Sequence, residues 1–137
     1  MDRDLFDLAR AIRDRAHAPY SRFAVGAALR SGAGTTHAGC NVENASYPEG
    51  WCAETSAIAA MVCGAGTAEG RRIEEVVVVA EPVDGRMVSP CGGCRQRLAE
   101  FGMAGTVVHL VDPAGERTET YRLGELLPAA FAMPDEP

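Results

Sequence analysis

No lysine occurs in the 137-residue chain: its thirteen basic residues are all arginine, and only Arg71 and Arg72 are adjacent. Set against 19 acidic residues they leave a net charge of −6. A nucleic-acid partner calls for a basic face, so a scattered cationic set under an acidic total argues against one. Long apolar runs are also missing. Nothing approaches the ~20 consecutive apolar residues of a membrane span, and Met1-Asp2-Arg3-Asp4 opens an amphipathic helix without the apolar stretch of an export signal. Aromatic residues are scarce at 6%, and there is no basic or aromatic extension to track a single strand. Repeats, low-complexity segments and composition breaks are absent, so one domain over residues 1–137 is expected, large enough to bury a core.

What is present is an ordinary globular composition, 47% apolar and 23% charged. Five cysteines, an odd number, with no export signal point to a reducing compartment, hence a cytoplasmic protein. There, clustered cysteines serve as metal ligands or catalytic groups more often than as disulfides.

Leu5, Leu8, Ala9 and Ile12 recur at helical spacing and predict a surface helix over Asp4 to Ala16, ahead of Pro19. Phe23 to Leu29 and Thr35 to Val42 read as a hairpin around Ser31-Gly32-Ala33-Gly34. A loop over Asn44 to Gly50 leads to a helix from about Cys52 to Val62. The run Val76-Val77-Val78-Val79 marks Ile73 to Ala80 as a strand covered on both faces. Ser89-Pro90 looks like an N-cap and first residue of a helix reaching Phe101. Strands at Thr106 to Val111 and Thr118 to Leu123 follow. A hairpin followed by alternating strands and helices predicts an α/β fold, a mixed sheet of about five strands with helices packed on its faces.

The chemistry gathers in Cys52-Ala53-Glu54 and Pro90-Cys91-Gly92-Gly93-Cys94. Each stretch opens a predicted helix, where partial positive charge favours the thiolate form. Three thiolates can hold Zn²⁺ and leave its fourth position to water, and a carboxylate two residues from a ligand can move protons to and from that water. A redox Cys-x-x-Cys pair is an alternative, as is a structural zinc site closed by Cys40 or Cys63. By themselves Cys40 and Cys63 read as small buried residues.

Cys-Ala-Glu followed by Pro-Cys-x-x-Cys resembles the zinc deaminases, in the variant with three cysteine ligands. The wider resemblance is to the small homotetrameric cytidine deaminases of nucleoside salvage. It runs from Pro19-Tyr20-Ser21 and Phe23-Ala24-Val25-Gly26, through Gly39-Cys40-Asn41-Val42-Glu43-Asn44-Ala45-Ser46-Tyr47-Pro48, to Leu126-Leu127-Pro128 and Phe131. It implies a three-layer α-β-α fold, Zn²⁺ on Cys52, Cys91 and Cys94, and Glu54 as the proton shuttle. It further implies that Asn41 and Glu43 bind the ribose hydroxyl, that Phe23 packs on the pyrimidine, and that the Ala53 backbone reads the base edge. Ala45, Tyr47 and Phe131 are similar to residues that complete a neighbouring subunit's site in a homotetramer. The implied reaction converts cytidine and 2′-deoxycytidine to uridine and 2′-deoxyuridine plus ammonia, with a small-molecule nucleoside and neither nucleic acid nor membrane as partner. Alternatives are a deaminase of another aminopyrimidine nucleoside such as blasticidin S, and a non-catalytic zinc-binding protein. One position departs from the pattern: many members with three cysteine ligands carry arginine where this chain has Thr55. That leaves the helix ends, or Arg95 beside Cys94, to balance the thiolate charge.

Overall fold

Asp2 sets the first helix. In the computed structural model, which describes residues 1–134, its carboxylate accepts from the Asp4 and Leu5 N–H groups at 2.9 and 3.2 Å, and α1 runs over Arg3–Arg13. The helix stops short of the expected Ala16 because the next residues are needed elsewhere. His17 forms a bridge with Val42, exchanging backbone hydrogen bonds with Asn41 and Glu43.

The hairpin forms as β1 (Gly26–Ser31) and β2 (Thr36–Cys40), turning at Gly34 with φ of 82°. Then follow α2 (Ala53–Gly64), β3 (Ile73–Val79), α3 (Gly92–Phe101), β4 (Val107–Val111), β5 (Thr118–Arg122) and a short α4 (Leu123–Leu126). The five strands make one mixed sheet in the order β2-β1-β3-β4-β5, with β3 and β4 parallel and the other pairs antiparallel.

Alternation along the strands divides the core into two layers. Ala28, Val77, Val79 and Val111 face α1, meeting Leu5, Phe6 and Ala9. Ala27, Leu29, Val76, Val78, Val108 and Leu110 face the other way, against Ala57, Ile58 and Met61 of α2 and Leu98 of α3. The all-valine stretch of β3 is thus buried on both faces, as its sequence predicts. Where α2 crosses β2, Gly39 is needed: a Cβ there would lie 2.4 Å from the Ala57 nitrogen. That close approach fixes how the start of α2 sits over the sheet.

Candidate active site

Two helix starts meet at the site. Cys52 is the N-cap of α2, its carbonyl accepting from the Ser56 N–H at 3.2 Å. Cys91 is the N-cap of α3, its carbonyl accepting from Arg95 at 2.9 Å. The expected start of α3 at Ser89-Pro90 is corrected here. The Ser89 hydroxyl accepts from Arg95 Nη2 rather than from a helix N–H, and the buried Pro90 carbonyl accepts from Arg95 Nε, both at 2.8 Å. Neither N-cap side chain makes a capping bond to its helix, and with Cys52 and Cys91 at the N-cap positions the partial positive charge of both helix starts lies next to their sulfurs.

The Sγ atoms of Cys52, Cys91 and Cys94 lie within 4.8 Å of one another. Cys52 and Cys91 are 3.8 Å apart, the separation of about 3.8 Å that a tetrahedral ion with Zn–S bonds near 2.3 Å imposes on its sulfurs. Donor type, number and spacing therefore fit zinc. The Cys94 thiol is pushed up because it donates to Cys52 and is buried, and Cys52 is pulled down by accepting from it. Cys40 and Cys63 stand outside the cluster, which removes the closed four-cysteine site. Cys63 is exposed at the end of α2 and Cys40 only half-buried, contrary to the expectation that both are core residues.

Glu54, at the second position of α2, is 4% exposed. Burial raises its carboxyl above the ordinary carboxylate range, a hydrogen bond with Cys94 and the charge of Arg97 only partly opposing this. A carboxyl raised in this way holds a proton more readily than an exposed one, which suits a group that takes up a proton and returns it.

Beside the sulfurs opens a cavity of about 570 Å³. Cys52, Ala53, Glu54 and Cys91 line one wall, and Phe23, Val25, Asn41, Glu43, Tyr47 and Trp51 line the others. Most of the expected contact residues are thus brought together. Ala45 and Phe131 are not in its lining; both are exposed, and the Phe131 carbonyl accepts from Gln96. Cys94 lies buried behind the cavity.

The walls have evident causes. Asn41 Oδ1 accepts from the Val25 N–H at 2.9 Å and its Nδ2 donates to the Phe23 carbonyl at 2.8 Å. The amide stands in for a strand partner. This is why β1 begins at Gly26 rather than at Phe23, and why the Phe23 ring faces the cavity. Glu43 accepts from the Tyr20 and Ser21 N–H groups at 3.0 and 3.1 Å and from the Ser21 hydroxyl. Those bonds, the Ser21 hydroxyl foremost, hold its carboxyl below the usual range. Each side chain retains hydrogen-bonding capacity toward the cavity.

Two residues here, Trp51 and Arg97, have no sequence signal. Trp51 sits on the rim, its Nε1 donating to Ser56 Oγ at 2.7 Å, which donates to the Cys40 carbonyl at 2.8 Å. Arg97 brings Nη1 to 4.0 Å from Cys94 Sγ, while Thr55 Oγ1 lies 3.7 Å from the same sulfur. Arg95, the expected charge partner, is turned to Ser89, Pro90 and the Leu126 carbonyl.

Comparison with known proteins agrees with this geometry. The profile described as "Cytidine and deoxycytidylate deaminase zinc-binding region" matches residues 1–110. A cytidine deaminase of Halalkalibacterium halodurans is 44% identical over 137 residues, covering 98% of each chain. One from Sporosarcina psychrophila is 41% identical over 123 residues, 90% of this chain and 85% of that one. Among solved structures, cytidine deaminase from Burkholderia pseudomallei superposes with a TM-score of 0.82 at 40% identity, over 96% of this chain and 100% of that one. The Mycobacterium tuberculosis cytidine deaminase gives 0.76 at 37%, over 95% and 96%. Sheet order, the three sulfurs and these likenesses place the chain in the cytidine and deoxycytidylate deaminase zinc-binding family.

Proposed function

We propose that the protein hydrolyses the exocyclic amine of cytidine and of 2′-deoxycytidine, giving uridine or 2′-deoxyuridine and ammonia. The observation that carries this is one cavity joining three clustered thiols and a buried carboxyl to Phe23, Asn41 and Glu43. An apolar ring wall and a polar rim suit a nucleoside, base inward and sugar toward Asn41 and Glu43. The chemistry a zinc ion supplies when held by Cys52, Cys91 and Cys94 is Lewis-acid activation of water. Glu54 accepts a proton from the water that attacks C4 and passes it to ring N3. It then accepts the second proton of that water from the hydroxyl formed on C4 and delivers it to the departing amine, so the carboxyl ends as it began. Phe23 packs on the pyrimidine and the Ala53 backbone reads the base edge, a reading supported by both residues lining the cavity.

Four copies sharing their sites would account for the exposure of Tyr47 in the cavity wall and of Phe131 outside it, 75% and 72%. A cytoplasmic role in pyrimidine salvage, by a single domain, fits a small free nucleoside as substrate. Among the described residues no helix is long and apolar enough to cross a membrane.

The test is the fall of cytidine absorbance on adding pure protein, with and without a chelator. Loss of signal that the chelator abolishes is expected. Zinc-loaded protein inert toward every pyrimidine nucleoside would leave only a zinc-binding role. Faster turnover of blasticidin S than of cytidine would move the substrate instead. The named relatives and the Asn41–Glu43 wall favour cytidine over both alternatives.

A further inference from the structure

Three thiolates carry one negative charge more than Zn²⁺ cancels, and Glu54 adds another. Cys91 is exposed, but Cys52 is half-buried and Cys94 and Glu54 are buried, and charge held there needs a counter-charge. The two helix ends supply part of it. Arg95 gives the sulfurs no hydrogen bond, because its guanidinium is turned to Ser89 and to the carbonyls of Pro90 and Leu126. Thr55, 3.7 Å from Cys94 Sγ, offers a hydroxyl without charge.

Arg97 is one turn along α3 from Cys94, at the i+3 position that shares its face. Its Nη1 lies 4.0 Å from the Cys94 sulfur, and its charge is felt by the buried Glu54 carboxyl. The guanidinium reaches this point by lying across Gly93: a Cβ there would stand 3.2 Å from Nη1 and crowd it. The second glycine of Cys91-Gly92-Gly93-Cys94 thus leaves room for the arginine.

We infer that Arg97 is the positioning residue that offsets the excess negative charge of the Cys52, Cys91 and Cys94 set toward zinc, and that Gly93 gives it access. The inference rests on zinc being held by those three sulfurs. It concerns the grip on the ion, so its reading does not depend on turnover.

The experiment measures zinc affinity of the full-length protein by competition with a chromophoric chelator, and the melting temperature of each zinc-free protein. Arg97→Met removes the charge and keeps the bulk; Arg97→Lys keeps the charge. Arg97→Met is expected to weaken zinc binding about tenfold, the lower end of what groups behind metal ligands command, because the exposed guanidinium is screened by solvent. Arg97→Lys is expected to stay within about threefold of wild type, and the zinc-free melting temperatures to agree. Equal zinc affinity in wild type and Arg97→Met overturns the inference. So does an equal loss in Arg97→Met and Arg97→Lys, or a loss matched by a lower zinc-free melting temperature, since either marks a packing role. A wild-type protein that retains no zinc would fail the three-thiolate site itself, and the inference with it.

Discussion

Glu54 holds two opposed requirements in one side chain. Burial at 4% exposure raises its carboxyl, and the Cys94 contact and Arg97 charge lower it. Glu54→Gln keeps shape and burial but cannot carry a proton, so turnover should fall about 10²–10⁴-fold, the usual worth of a positioned acid–base group. Zinc content by elemental analysis should stay at the wild-type level; near-normal turnover would remove Glu54 from the chemistry. Glu43 has the opposite shift. Its folded-state value is lowered from 4.5, so its contribution to stability is present above about that pH and lost as pH falls through the lowered folded value. A Glu43→Gln variant should show a lower urea midpoint than wild type at neutral pH, and the gap should close on acidification. A gap independent of pH would count against the carboxylate's role. At this scale the motif residues were legible because thiols and a carboxylate announce their chemistry by type and spacing. Arg97 and Trp51 were not, since an exposed arginine and a lone tryptophan have no pattern; only their contacts give them a place.

The elements were legible wherever burial is two-sided or strictly periodic. The valine run of β3 and the apolar spacing of α1 and α2 predict those elements to within a few residues at each end. Their ends escaped the sequence where a side chain replaces a backbone partner. Asn41 does so at Val25 and Phe23, delaying β1. Arg95 does so at Ser89 and Pro90, taking the groups that would have begun α3 and leaving Cys91 as its N-cap. Arg95 therefore fastens the start of α3 to the Leu126 carbonyl at the end of α4 as well. Arg95→Met loses three charge-assisted hydrogen bonds and should cost about 2 kcal/mol, a discounted figure for a half-buried group. Chemical denaturation of zinc-free protein reads this directly, and an unchanged midpoint would show that the segment is held by packing alone. The contrast with Arg97 is informative: two arginines two positions apart on α3 are expected to differ, one acting on the fold and the other on the ion.

For the whole molecule, the cavity explains why one chain presents so much apolar surface near its site. Tyr20 and Tyr47 stack at a ring separation of 5.9 Å, tilted by 60°, and with Trp51 they leave about half or more of each ring exposed. Phe131 and Met133, from the C-terminal stretch, are 72% and 77% exposed. A monomer of 14.5 kDa gains nothing from leaving such side chains in water. An aromatic beyond the cavity's own lining is better placed to meet another copy than its own site. The proposed tetramer predicts that sedimentation velocity will give a mass near four chains at micromolar concentration. Phe131→Ala should then shift the assembly toward smaller species and lower kcat/KM about tenfold, of the order lost with a truncated interface aromatic, while Glu54 and the three sulfurs stay in place. Dilution should reproduce the loss in wild type, and added concentration should reverse it. A monomer of full specific activity at every concentration would refute the shared site and leave the Asn41–Glu43 wall as the whole of substrate recognition.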